Sequence, residues 1–217
     1  MQWITANPWV VTPDRRAWLD IWTTADLGSY YPLYFSVLRI LWGIGGLLEG
    51  WVGGNAGLAA VWQDLGGRAL PFHTFNVLAF AGACALWHEV LRRLGLGPAA
   101  RAMAVAFFAL HPLRAESVAW ASALRDDLSL LMVVAALWLH LSDREGHRRW
   151  LAPLAFAAAL LTKSMVFALA PAPLLIDLLW RRRSWGEAGP GSIPYLVLGL
   201  AGAAVAYLAF QPIAAQN

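Results

Sequence analysis

Hydrophobic and polar positions along this chain alternate on a long scale. Apolar runs cover about residues 70–91, 102–111, 127–142, 150–162, 164–180 and 192–210, and charged or Pro/Gly-rich punctuation separates them. A half-buried strand would alternate every second residue; these runs do not, and they predict helices. Several fall short of the roughly 20 residues that an ordinary membrane span needs. Ahead of them, "TPDRRAWLDIWTT" predicts a short amphipathic helix with Thr12 as N-cap and Pro13 at its first position. The next run, "LYFSVLRILWGIGGLLEG", sets Ser36, Arg39, Gly43, Gly46 and Gly50 at spacings of three and four. One small or polar face predicts a helix lying in a membrane interface rather than crossing it.

Composition turns this pattern into a membrane protein. The 217 residues are 59% hydrophobic and only 13% charged, with 13 tryptophans, whereas a soluble domain carries roughly 25% charged residues. The net charge of +3 matters less than where the arginines stand. They cluster at Arg92, Arg93 and Arg101, at Arg144, Arg148 and Arg149, and at Arg181, Arg182 and Arg183. If each cluster marks the cytoplasmic side, an even number of crossings separates successive clusters. One helix over the 31 residues between Arg149 and Arg181 would be about 46 Å long and leave its two ends on opposite sides. Two short spans meeting near "TKS" (162–164) satisfy the parity, and two more meet at 111–127. The expected fold class is therefore all-α, a polytopic membrane helix bundle of about six spans. Residues 70–217 form the bundle, and residues 1–69 form an extracytoplasmic segment with interfacial helices. Residues 1–69 and 111–127 then lie outside the cytoplasm, although the N-terminus carries no signal peptide to take it there.

Ionisable groups inside such a chain are costly and mark pairs, interfaces or function. Glu89 precedes Arg92 and Arg93 by three and four residues, and Asp177 precedes Arg181 by four, spacings that predict local helix-surface pairs. Lys163 is the only lysine. It sits at an expected outer turn, where an ammonium suits a phosphate oxygen. The densest group is "HPLRAESVAWASALRDD" (111–127). Proline ends the preceding span at His111, and Asp126 and Asp127 open the next, where acids favour a helix N-terminus. On one straight helix Glu116 and Arg125, nine residues apart, would point about 180° from each other. Only a break between them lets them share a site.

Other chemistry lacks a pattern. Cys84 is alone, so neither a disulfide nor a CxxC metal site exists within the chain. No GxxxxGK[ST], GxGxxG, HExxH or GxSxG occurs, and the five histidines are scattered. The arginines mark topology and are not interleaved with aromatics as a nucleic-acid surface would require, so no nucleic-acid partner is expected.

The stretch "HPLRAESVAWASALRDDLSLL" resembles the His-Pro-x-x-x-Glu-x-Val-x-Trp … Arg-Lys-Asp-x-Leu signature of the transmembrane and tetratricopeptide-repeat-containing O-mannosyltransferases and their bacterial relatives, members of the C-type glycosyltransferase superfamily. "WITANPWV", "YYPLYFSVLRI", "FHTFNVLAF" and "LLTKSMVFALAPAPLLIDLLW" are similar, in order, to further segments of that family. The likeness covers about residues 3–180. Departures are Arg114 where the family often has a histidine, Leu124-Arg125-Asp126 for Arg-Lys-Asp, and Tyr31 for a basic residue. The resemblance implies a membrane enzyme, in the inner membrane for the bacterial relatives. Such an enzyme transfers a mannose-like sugar, with inversion, from a polyprenyl-phosphate donor to a Ser/Thr or other hydroxyl acceptor at the extracytoplasmic face. It further implies Arg125, Lys163, His111 and Arg114 as ligands of the donor phosphate, with Glu116 and Asp126 as supporting acids. A divalent metal is compatible with that chemistry, but no cofactor is required by the sequence. The family's acidic pair, which supplies the catalytic base, would fall before Met1, and the family's repeats would follow this region. A chain read this way is a fragment, and the competing expectation is a non-catalytic membrane subunit or relic that binds lipid phosphate or a partner protein.

Overall fold

The computed structural model describes residues 2–25, 29–142 and 150–214. Among them every regular element is helical. The chain opens with three short helices, α1 (Gln2–Ala6), α2 (Pro8–Val11) and α3 (Arg16–Thr23), followed by α4 (Pro32–Val52) and α5 (Ala56–Asp64). The bundle comprises α6 (Leu70–Arg93), α7 (Pro98–Ala109), α8 (Pro112–Ala119), α9 (Leu124–His140) and α10 (Leu151–Thr162). It closes with a 3₁₀ segment (Ser164–Leu169), α11 (Ala172–Leu175) continued by a π turn (Ile176–Trp180), and α12 (Trp185–Ala214).

Among the described residues, three helices are long and apolar enough to cross a membrane: Pro32–Val52, Gly67–Arg93 and Trp185–Gln211. The apolar runs expected at 102–111 and 150–162 are shorter helices, and the run at 164–180 is helical but broken. The segment expected to lie in an interface is one uninterrupted helix of 21 residues, about 31 Å long, whose length and composition also suffice to cross. Along α12, Ile193, Val197, Leu200, Leu208 and Phe210 stand exposed on an apolar surface of the kind that soluble monomers avoid.

Two boundaries differ from the sequence pattern. Thr12 does not cap α3; it ends α2, its N–H donating to Pro8 O, and α3 begins only at Arg16. Asp14 intervenes, its Oδ1 accepting from Arg16 N at 3.0 Å, so the side-chain acceptor that receives a free helix N–H is Asp14 and not Thr12. In turn α12 starts at Trp185, ahead of the expected 192, and runs through Pro190 and Pro194. A Ser-x-x-Glu pattern nucleates it: Ser184 N and Oγ both donate to Glu187 Oε2 at 2.9 Å, as in half of a capping box.

Close packing uses small residues. Ala136, Ala152 and Ala159 are buried where α9 meets α10, with Phe156 and Tyr195 filling the remainder. A methyl added at Gly199 would run into Ala170 Cβ, and one at Gly202 would come 2.9 Å from Leu160 Cδ2. In lipid, where apolar contact alone gives little drive, such close approach is what binds helices together. The first helices are not a separate body. Ile4, Val10, Ile21, Tyr34 and Leu38 share one core with Phe72, Ala121, Leu124 and Leu128, so residues on both sides of position 70 pack together. Arg39 ties this layer down, donating to Trp9 O and Asp14 O at 2.7 Å each.

The bundle has two polar ends. At one, the 111–127 region meets Lys163. At the other, Arg93 reaches Ser142, Trp180 Nε1 donates to Leu94 O at 2.7 Å, and His140 Nε2 lies 3.2 Å from Asp177 Oδ2. The expected pairs are present here: Glu89 with Arg92 and Arg93, and Asp177 with Arg181. The third basic cluster, Arg144, Arg148 and Arg149, lies outside the described residues.

Candidate functional site

The first end is built around a break in the helix path. Pro112 opens α8 after His111 adopts an extended backbone, and α8 stops at Trp120, which is extended again at φ −91°, ψ 123°. A single 3₁₀ turn, Ala121–Ala123, then leads into α9. This is the break that Glu116 and Arg125 need. Two buried side chains from distant helices hold it open: Tyr34 Oη donates to Ser122 O at 3.0 Å, and Asn76 Nδ2 donates to Trp120 O at 2.9 Å. Trp120 O also accepts from Ala123 N at 3.0 Å in the 3₁₀ turn, so Asn76 adds a second donor to it.

Lys163 follows α10 in extended conformation, which turns its side chain away from the helix path. Its Nζ donates to Asp126 Oδ1, joining two turns 37 residues apart. Around this pair lies a cleft of two lobes. One lobe, about 550 Å³, is lined by Arg114, Lys163 and the apolar Leu113, Met165 and Leu169, together with Glu116 and Asp126. The other, about 450 Å³, is lined by Tyr31, Tyr34, Trp120 and Arg125, again with Glu116 and Asp126. Glu116, Ala123 and Asp126 form the wall common to both.

Five of the six residues singled out from the sequence are thus brought together. Arg125 and Lys163 do not face one lobe; they flank the shared acidic wall from opposite sides. Arg125 places its guanidinium 5.8 Å from the Tyr31 ring centroid, and Arg114 sits 4.6 Å over Phe108, both within cation–π range. His111 is the exception. Its Nδ1 accepts from Leu113 N at 3.3 Å as the cap of α8, its ring packs on Phe107, and it lines neither lobe.

The residues that sequence reasoning missed are the aromatic wall, Tyr31, Tyr34 and Trp120, and the pins Tyr34 and Asn76. Their signal was indirect: Tyr34 and Asn76 stand inside "YYPLYFSVLRI" and "FHTFNVLAF", two of the segments that carry the family likeness. Asp127, read only as a helix-start acid, is fully buried, and its carboxylate oxygens have no hydrogen-bond partner among the described residues. Among those residues, no three His, Cys, Asp or Glu side chains converge as a metal-ligand set.

The described residues thus define an all-helical fold with three helices long and apolar enough to cross a membrane and a charged cleft at one end of the bundle. No family model matches the chain, and no curated protein or solved structure matches it either.

Proposed function

We propose that the chain is a polytopic membrane protein of the C-type glycosyltransferase kind, crossing the bilayer about six times. Its cleft opens on the extracytoplasmic face, binds a polyprenyl-phosphate sugar and transfers the sugar to a hydroxyl acceptor. The observation that carries this reading is the Asp126–Lys163 contact at a cleft whose two lobes differ in chemistry. Two cations beside exposed Leu113 and Met165 suit a phosphate with an apolar tail. Aromatic rings, a guanidinium and a carboxylate suit a sugar and an incoming hydroxyl. The turns that meet in the cleft are those expected outside, and Arg93, Asp177 and Arg181–Arg183 gather at the opposite end, as the parity of the basic clusters requires.

In the transfer, the acceptor oxygen bonds to the anomeric carbon, and the bond from that carbon to the phosphate oxygen breaks. The electron pair leaves with the phosphate, and the hydroxyl proton passes to a carboxylate. Arg114 and Lys163 stabilise the leaving phosphate, where preorganised charge acts with most effect, and Arg125, across the shared wall, adds positive charge beside the sugar in the other lobe. Asp126 orients Lys163. Within the chain, Glu116 is a carboxylate exposed to both lobes.

The test is transfer from polyprenyl-phosphate mannose to a Ser/Thr peptide in membranes expressing the chain in its genomic context. Lys163→Ala and Arg125→Ala are each expected to lose about 100-fold or more, the scale of removing one transition-state charge contact, while inserting normally. Wild-type-like transfer by both variants removes these assignments. Donor binding without transfer by the unmodified protein would instead identify a non-catalytic lipid-phosphate-binding subunit.

A further inference from the structure

Two fully buried side chains where α6 packs on α9 have acceptors but no donors. Neither carboxylate oxygen of Asp127 has a hydrogen-bond partner among the described residues. Asn76 directs its Nδ2 to Trp120 O at 2.9 Å and leaves Oδ1 unpartnered among the same residues. The register of the two helices brings these groups to one level. A Cβ on Gly82 would meet Leu131 Cδ1 at 3.3 Å, and Arg93 reaches Ser142, 49 positions on in both cases. Asp127 is therefore level with residue 78, about 3 Å along the axis from Asn76. Both also stand in the stripes that the helices turn towards each other. Asp127 continues Leu131, Val134 and Trp138 at spacings of four, three and four, Asn76 continues Ala79, Ala83 and Val90, and Val90 and Val134 share one core.

A carboxylate shut off from water without a donor or counter-ion is far costlier than the neutral acid. The groups around Asp127 do not supply either. Arg114 of α8 is within electrostatic reach but holds its guanidinium over Phe108. Ser117 of α8 donates its hydroxyl proton to Arg114 O at 3.0 Å. Asp126 on the same helix adds negative charge and is engaged by Lys163, and Cys84, farther along α6, is a thiol. One proton on Asp127 removes both deficits, because a carboxylic acid has an O–H to donate and Asn76 Oδ1 accepts.

We propose that Asp127 is a neutral carboxylic acid whose O–H donates to Asn76 Oδ1 and so fixes the amide that holds Trp120 O. It is a positioning residue for the cleft, whose shared wall, Glu116, Ala123 and Asp126, straddles the break at Trp120. That role rests on the sugar-transfer reading; the bond itself does not. The full chain in detergent is followed by infrared spectroscopy and by thermal unfolding from about pH 6 to about pH 9, where deeply buried carboxyls lose their proton. The proton is held at low pH and lost as pH rises, so the bond stabilises the acid side of that range. Wild type near pH 6 is expected to show the carbonyl stretch of a protonated carboxylic acid, which Asp127→Asn lacks. The wild-type Tm should fall towards pH 9. Asp127→Asn, whose amide donates without titrating, should lose that fall and stay within about 2 °C of wild type at low pH. Asp127→Ala leaves Asn76 Oδ1 bare and should unfold about 4–8 °C lower at low pH. Sugar transfer by Asp127→Asn should stay at the wild-type level at low pH and, relative to wild type, gain as pH rises. Absence of the protonated-acid band overturns the proposal, as does an Asp127→Asn whose unfolding follows pH as wild type does. Absence of transfer in every protein would count against the reading of the cleft, whereas the spectrum and the unfolding curves decide the bond.

Discussion

Asp126 and Lys163 are each about one-third exposed at their side chains, so solvent screens the attraction between them. Their coupling in a double-mutant cycle of Asp126→Asn and Lys163→Ala is expected at about 0.2–1 kcal/mol of thermal stability, far below the loss in transfer. A stability coupling of several kcal/mol would make the pair a structural clamp instead. Arg39 is the opposite case. It is buried, and its fork satisfies two carbonyls at once. Arg39→Ala leaves both unpaired and should cost about 2–4 kcal/mol, seen as a lower Tm and faster proteolysis within residues 1–31, with Arg39→Lys only partly restoring it. At this scale the sequence was legible in one direction. Asp126 and Lys163 stood out because charge is rare in an oily chain. That they touch was invisible, since 37 residues separate them and only the packing of α9 on α10 closes the distance. Tyr34 and Asn76 were unreadable as pins because their partners are main-chain carbonyls, which leave no trace in residue type.

At the scale of elements, the sequence set only a condition, that residues nine apart on a helix point opposite ways and need a break to share a site; the structure has that break at Trp120. The starts of α3 and α12 did not follow. Proline and glycine punctuation outweighed Asp14 in the first case and the Ser184–Glu187 pattern in the second, although both capping signals were present in the chain. The seating of α12 rests on Gly199 against the 164–170 turn. Gly199→Ala forces the two apart and should cost about 1–3 kcal/mol. Gly189→Ala on the same helix meets nothing within 4 Å and should raise stability by up to about 1 kcal/mol through helix propensity. Thermal unfolding of the two variants in detergent checks the pair, and equal shifts would mean that α12 is not seated through Gly199.

For the whole molecule, the expectation of about six spans rested on the basic clusters, whereas length and composition make three helices among the described residues able to cross. Helices as short as α7 and α10, 12 residues each, reach only about 18 Å. At one end of the bundle Lys163 meets Asp126, and at the other Arg93 meets Ser142 and His140 meets Asp177, so the bundle carries a polar cluster at each end. The central claim concerns the first of them, that Lys163 and its neighbours grasp a lipid-borne phosphate. The affinity of the purified chain for a short polyprenyl phosphate, compared between wild type, Lys163→Ala and Arg183→Gln, tests it most directly. The account predicts binding that falls at least about tenfold in Lys163→Ala, as loss of one charged contact of about 1.5–3 kcal/mol implies, and is unchanged in Arg183→Gln. Binding that is absent in the wild type, or indifferent to Lys163, would contradict it.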